Sequence, residues 1–178
     1  MWQAARTHED MLFRAHNHEE AADIRAEITG HLGNAFQALD RMADRWQHEG
    51  GIAQMHWQAD ADNHIHDFPL IASIQRFDMQ GNLHGSSSKN QVSPTRDLLF
   101  EADSPWAEAR EIATTSGTPV LTKTAPFANG ASTGFLYILP LRHDATLDGY
   151  LVAAFNISDV LNQTISRFYG YYHLTFLE

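Results

Sequence analysis

The stretch ITGHLGNAFQALDRMADRW, residues 28–46, decides how the first quarter of the chain folds. Its apolar residues recur at alternating steps of four and three, at Ile28, Leu32, Ala35, Leu39, Met42 and Trp46. This heptad spacing predicts a helix with one continuous apolar stripe. Phe36 and Ala43 widen the stripe, so we expect part of this helical face to pack on the body of the same domain.

Outward from this stretch, the predicted helix begins near Thr7 and ends before Gly50 and Gly51. A helix from about residue 8 to 48 would be ~60 Å long at ~1.5 Å per residue, which exceeds the diameter of the domain that follows. We therefore expect it to project beyond that domain or to pair with another chain. This predicts two parts, an N-terminal stalk or dimerisation helix at 1–50 and a separate domain at 51–178.

The composition excludes several classes of function. The chain has 178 residues, with 22 acidic residues against 12 Lys and Arg and a net charge of −10. Such a balance argues against binding to nucleic acid or to an anionic lipid surface. Cysteine is absent, which excludes disulfides, thiolate zinc sites and thiol catalysis. Neither a signal peptide nor an apolar run of the ~20 residues that span a bilayer is predicted.

The rest of the chain alternates short strands with turns. We expect turns at 78–82 and at Asp148-Gly149, a helix from Ser104-Pro105 to a stop at Gly117, and a second helix that Ser158 caps and that ends near Phe168. The predicted strands cover 70–77, 83–87, 118–124, 134–141, 150–156 and 171–177. This order predicts an α+β fold, in which the long N-terminal helix precedes a PAS-like antiparallel sheet with flanking helices.

No catalytic motif is present in the sequence, so we interpret the segment as non-enzymatic and predict no cofactor and no metal. The candidate metal ligands are His64 and His66, within the acidic cluster Asp60–Asp67. In an extended loop, imidazoles two residues apart can point to one side and bind zinc or nickel together with carboxylates. The alternative is an acidic, solvated loop that leads into the first strand.

Two hydroxyls and several aromatic rings are candidates for a ligand pocket. In a strand, Thr122 and Thr124 point to the same side and could bind a small polar molecule. Trp106 and Tyr137 could line the same cavity, together with Phe135 and Tyr150. The structural alternative is that the threonines only favour the strand and that the rings belong to the core.

The second half of the chain resembles CHASE domains. The similarity lies in AREIATTSGTPVLT at 109–122, TAPF at 124–127, GFLYILPL at 134–141 and GYLVAAFNISDVL at 149–161. CHASE domains are extracytoplasmic ligand sensors with PAS-like cores, held between two transmembrane helices. They control histidine kinases, diguanylate cyclases or cyclic-di-GMP phosphodiesterases across the membrane.

The resemblance also implies site residues. In the plant members that bind cytokinin, the threonine of the V-L-T strand contacts the ligand, and Thr122 holds that position here. An acidic residue ahead of the helix is the other contact in that branch, and Asp97 or Asp103 could take its place.

The resulting hypothesis is a periplasmic or extracellular small-molecule sensor domain of a membrane-anchored signalling protein. We expect a homodimer through residues 28–46, in which ligand binding shifts the long helix. The alternatives are a cytoplasmic PAS or GAF module that holds haem, flavin or a nucleotide, a metal-dependent enzyme that uses Asp60–Asp67, and a dimerisation piece without a ligand.

Overall fold

A computed structural model describes residues 2–48, 54–89, 99–101, 103–127, 130, 132–143 and 146–165. Its helices are α1 (Trp2–His48), α2 (Gln54–Asp67), α3 (Ala107–Ser116) and α4 (Ile157–Ile165). Its strands are β1 (Ile71–Asp78), β2 (Leu83–Ser88), β3 (Val120–Leu121), β4 (Ala125–Pro126), β5 (Thr133–His143) and β6 (Thr146–Asn156). These elements confirm the predicted α+β fold. The predicted strand at 171–177, Asp97 and the Gly50-Gly51 boundary lie outside the described residues.

The six strands form one antiparallel sheet in the order β2-β1-β6-β5-β3, and β4 also pairs with β5. Strand β6 lies in the middle, and its residues 149–155 are all buried. Side chains alternate between the two faces of a strand. Leu151, Ala153 and Phe155 therefore point to the face that α1 covers, and Tyr150, Val152 and Ala154 to the face that α3 covers. We call these the α1 face and the α3 face.

The apolar stripe of α1 packs against the sheet of its own chain. Ala35, Leu39 and Met42 are at most 2% exposed, and Trp46 is 6% exposed, in a cluster with residues of β1, β5 and β6. From Ala35 to Trp46, the side chains expected to pair with a second copy are thus covered within the chain, whereas Ile28 and Leu32 are only partly buried. Among the described residues, no helix is both long enough and apolar enough to cross a membrane.

The segment expected to be a loop at 60–67 is instead the second half of α2, so the geometry assumed for a metal loop was wrong. Trp57, Ala61 and Ile65 are spaced by four residues and are buried together against the α1 face. This spacing gives a helix one apolar side. The acidic residues between the three apolar ones make the segment look polar throughout, so its sequence was interpreted as a loop. Asp60 fixes the helix to α1, because Arg45 Nη2 donates to its two carboxylate oxygens at 2.9 and 2.8 Å.

The turn between the last two strands also differs from the prediction. Strand β5 continues to His143 and β6 begins at Thr146, so Asp148 and Gly149 lie inside β6. Gly149 has an extended backbone with φ 159°. Glycine is needed at this position for close packing, because a Cβ there would collide with the carbonyl oxygen of Phe77.

The expected strand at 118–124 is reduced to β3, Val120–Leu121. Regular pairing with β5 ends at Thr122, whose side-chain Oγ1 accepts the Leu136 N–H at 2.9 Å in place of a backbone carbonyl. The cap of α4 is also shifted, since Asn156 Oδ1 accepts the Ser158 N–H at 2.8 Å and acts as the cap predicted for Ser158.

The local signals with the most specific chemistry are confirmed. Asp78 closes the β1–β2 turn by accepting the N–H groups of Gln80 and Asn82 at 2.9 and 2.8 Å, and Gly81 follows at φ 79°. A hydrogen bond from His84, then those from Asn82 and Gln80, hold the pKa of Asp78 well below its usual value. Gly117 ends α3 in the left-handed conformation at φ 67°.

The packing of the sheet predicts opposite effects of alanine at two glycines. Gly149→Ala forces β6 away from Phe77, so we expect it to lower the free energy of unfolding by ~1–3 kcal/mol. Gly33→Ala, in α1 with no atom near the new Cβ, should raise the free energy of unfolding by ~0.5–1 kcal/mol. Urea unfolding followed by far-ultraviolet circular dichroism measures both. Equal effects would contradict the described contact between β6 and β1.

Candidate ligand-binding site

The α3 face of the sheet is covered by an aromatic layer. Trp106 is fully buried, and its ring lies 5.8 Å from the ring of Phe127. The indole Nε1–H of Trp106 donates to the carbonyl of Lys123 at 3.1 Å, which fixes the side chain. Leu99 and Ala113 complete the cover over the strands. The layer gives a small molecule on this face an apolar, water-poor environment.

A row of polar side chains interrupts this apolar face. Ser73 and Gln75 of β1 are 0% and 3% exposed and pair across the ladder with Ala154 and Val152. Directly opposed residues share a face, which places both polar side chains on the α3 face. On their other side, Ser73 and Gln75 pair with Ser88 and Ser86 of β2. We call the row formed by Ser73, Gln75, Ser86 and Ser88 the polar strip.

The hydroxyl of Ser73 is the most informative atom of the polar strip. In the part of the chain that the structure describes, Ser73 Oγ is buried and has no hydrogen-bond partner. Burying a hydroxyl without a partner costs ~1–3 kcal/mol. A polar atom of a bound ligand would remove this cost. The sequence carries a signal for this strip, because Ser73 and Gln75 stand two residues apart in an apolar strand.

An open cleft of about 300 Å³ lies at one end of the same face, beside the β1–β2 turn. The guanidinium carbon of Arg110 stands 5.0 Å from the ring centre of Phe100, and the hydroxyls of Thr114 and Tyr150 are 2.6 Å apart. Glu111 also lines the cleft, which therefore offers both charge signs next to an aromatic wall.

Thr122 is buried, and its hydroxyl serves the backbone. Oγ1 accepts the N–H of Leu136 at 2.9 Å and donates to the carbonyl of Lys123 at 2.9 Å. A ligand that bonds to Thr122 would have to exchange one of these contacts. Thr124 is exposed and lies between β3 and β4, and Asp103 is exposed in the turn ahead of α3. The structure thus brings Trp106 and Thr122 together, because both side chains donate to the backbone carbonyl of Lys123.

Tyr137 lies on the opposite side of the sheet. Its ring stacks on Phe36 of α1 at 4.5 Å, and its hydroxyl donates to Asp40 Oδ1 at 2.8 Å. It therefore joins β5 to α1. Burial and then the bond to Asp40 raise the pKa of Tyr137 well above its usual value.

His64 and His66 are two residues apart on α2, where they point in different directions. His64 Nδ1 lies 2.8 Å from the carbonyl of Asp60, one turn earlier. Within the described residues, no three histidine or acidic side chains come together as a metal site would require.

Comparison with solved structures identifies the fold. The chain is similar to the ligand-binding domains of two Pseudomonas aeruginosa amino-acid chemoreceptors. For PctC, solved with GABA, the TM-score is 0.56 at 13% identity over 79% of this chain and 64% of that one. For PctB, solved with L-Gln, the TM-score is 0.59 at 14% identity over 84% of this chain and 57% of that one. For the extracellular domain of rpHK1S-Z16, which carries a histidine-kinase designation, the TM-score is 0.59 at 17% identity over 85% of this chain and 59% of that one.

This chain has the fold of an extracellular sensor domain. It spans less than two thirds of the length of each of these three solved chains. No protein-family model and no curated protein matches the chain. The likeness therefore rests on three-dimensional structure alone.

The hydrogen bonds of Thr122 predict a structural role that can be measured. Thr122→Val leaves the buried N–H of Leu136 without its acceptor, so we expect a loss of ~1–3 kcal/mol in the free energy of unfolding. Thr124→Val, the matched change at the exposed threonine, should stay within ~0.5 kcal/mol of the wild type. Chemical denaturation measures both variants, and equal stability of the two would contradict the bond to Leu136.

The raised pKa of Tyr137 predicts how stability changes in alkali. Above pH ~10 the unfolded chain loses the tyrosine proton while folded Tyr137 keeps it. The unfolded state then binds fewer protons, so the stability from this group is present below pH ~10 and is lost as the pH rises further. Tyr137→Phe should flatten this part of the profile, as thermal melts between pH 8 and 11 would show. An identical alkaline slope in wild type and variant would refute this.

Proposed function

We propose that this chain is the small-molecule input domain of a membrane-anchored signalling protein and works on the periplasmic or extracellular side. The sensor fold supports this function, and the unpartnered hydroxyl of Ser73 is the observation that points to a ligand. We place the ligand on the α3 face, over the polar strip and beneath the layer around Trp106. This face combines an apolar environment with few polar contacts, as small-molecule sites do.

The proposed ligand is a small polar metabolite of amino-acid size. Chemoreceptor domains with the same fold were solved with GABA, L-Gln and L-norvaline. The polar strip offers hydroxyl and amide groups, which can donate to a carboxylate or accept from an ammonium group. Thr122, Thr124, Trp106 and Asp103 remain candidate contacts of the ligand, whereas Tyr137 lies on the α1 face, away from the proposed site.

The signal would pass through the sheet to α1. Val152 and Ala154 of β6 lie on the proposed ligand face, and Leu151 and Ala153, which alternate with them, belong to the cluster that holds α1. A ligand changes the arrangement of such a unit only by binding one arrangement better than the other. We propose a homodimer through α1, the N-terminal helix. The output of the parent protein is proposed to be a histidine kinase, a diguanylate cyclase or a cyclic-di-GMP phosphodiesterase.

A thermal-shift panel of the twenty amino acids, GABA and small dicarboxylates tests this function. A compound that binds only the native state at a hundredfold excess over its Kd adds ~2.7 kcal/mol of stability. Ser73→Ala removes an unpartnered hydroxyl, so its Tm without ligand should equal or exceed that of the wild type. Its ligand-induced shift should fall severalfold.

Tyr137→Phe is the matched control, because it removes one hydroxyl from the opposite face. It should keep the ligand-induced shift in full. The site proposed here would be wrong if Ser73→Ala kept the shift and Tyr137→Phe lost it. The function itself would be contradicted if no compound of the panel shifted the Tm of the wild type.

A further inference from the structure

A second open cleft, of about 260 Å³, lies where the C-terminal end of α1 meets the β5–β6 hairpin. We call it the hairpin cleft. Its lining consists chiefly of side chains that donate hydrogen bonds, namely Trp46, Arg76, Arg142 and His143, and the one carboxylate among the described lining residues is that of Asp148. It opens on the α1 face, since Trp46 and Leu141 in its wall belong to the cluster beneath α1.

Trp46 contributes a donor without an acceptor. Its side chain is 6% exposed, and its indole Nε1–H is buried with no hydrogen-bond partner in the part of the chain that the structure describes. An indole N–H can only donate. The atom that would satisfy it must therefore be an acceptor, such as the oxygen of an anion.

Arg76 is held next to this indole. Its guanidinium carbon lies 5.6 Å from the centre of the Trp46 ring, a stacking arrangement that fixes the direction of the side chain. Its Nη2 lies 3.7 Å from Oδ2 of Asp148, well beyond the ~2.8 Å of a charge-assisted hydrogen bond. Asp148 is also 59% exposed, so solvent screens this ion pair.

Arg142 lines the cleft at an irregularity of the hairpin. The pairing of β5 with β6 shifts register between Leu141 and Arg142, and such bulges redirect side chains. The guanidinium of Arg142 packs against Gly117, the C-cap of α3, where a Cβ would collide with it. His143 follows directly and also lines the cleft.

We infer that the hairpin cleft binds a small oxyanion, either inorganic phosphate or the carboxylates of a small diacid. Two arginines and a histidine line the cleft in a chain whose net charge is −10, and the Arg76 guanidinium stands beside the Trp46 indole. Its volume is below the ~300–1,000 Å³ of pockets for drug-sized ligands, which suits a compact anion. Guanidinium groups and an indole N–H match oxygen acceptors of this kind.

This site is separate from the proposed ligand site, because it lies on the other face of the sheet. An anion there would contact Trp46 of α1, Arg76 of β1 and the β5–β6 hairpin together. It would thereby tie the end of α1 to three strands, and act as an effector of the position of α1.

The test uses the indole signals in ¹H–¹⁵N correlation spectra of the 178-residue chain, which has four tryptophans. Trp46→Phe assigns the Trp46 signal by its loss. Titration with phosphate and with succinate, each against chloride at constant ionic strength, should move the Trp46 Nε1–H signal in a saturable way. The anion that moves it at lower concentration identifies the chemical source.

Arg76→Gln and Arg142→Gln should each weaken the binding about tenfold, because each removes one charge-assisted contact. Arg25→Gln makes the same charge change on the exposed part of α1 and should leave the affinity unaltered. Two arginine variants are tested in case one of them fails to fold, which the spectrum of that variant would reveal. The inference is overturned if the Trp46 signal follows only ionic strength, or if the affinity survives in both folded cleft variants.

Discussion

The structure depends on the burial of β6 from both sides. Residues 149–155 of this strand are all buried, and alternate side chains enter the two hydrophobic clusters. A strand covered on both faces cannot shift by one residue without exchanging the contents of the two clusters. Gly149 adds a second constraint on register, because only a residue without a Cβ fits against the Phe77 carbonyl. The positions of α1 and α3 follow from this strand.

The same constraint explains why α1 belongs to the domain as well as extending from it. From Ala35 onward its stripe fills the α1 face, and the hydrogen bond from Tyr137 to Asp40 fixes the helix to β5. Gly30 and Gly33 lie just ahead of this segment, with open space around each Cα. Glycine weakens a helix interior by ~0.5–1 kcal/mol, so these two residues lower the stability of α1 just ahead of the segment that packs on the sheet. A displacement of β5 would therefore reach α1 through the contacts after residue 35.

Features with strictly local causes could be predicted from the sequence. The heptad stripe of α1, the Asp78 turn and the Gly117 cap each follow from the side chains in the element itself. Features that depend on a distant partner could not. The glycine at 149 predicts a turn unless Phe77 is known to lie beside it. The strand at Thr122 ends where the Leu136 N–H bonds to the threonine hydroxyl, and Leu136 is 14 residues away in the sequence. The polar strip was missed because two polar residues in a strand do not show which face is covered.

Strand β1 connects the two proposed sites more directly than any other element. Gln75 points to the α3 face as part of the polar strip, and the next residue, Arg76, points to the α1 face and lines the hairpin cleft. Adjacent residues of a strand share one backbone, so a twist that improves the contacts of one changes the position of the other. If both ligands bind, thermodynamic linkage requires that each alters the affinity for the other by the same factor. The sign of that coupling depends on whether both favour one twist of β1, and therefore one position of α1.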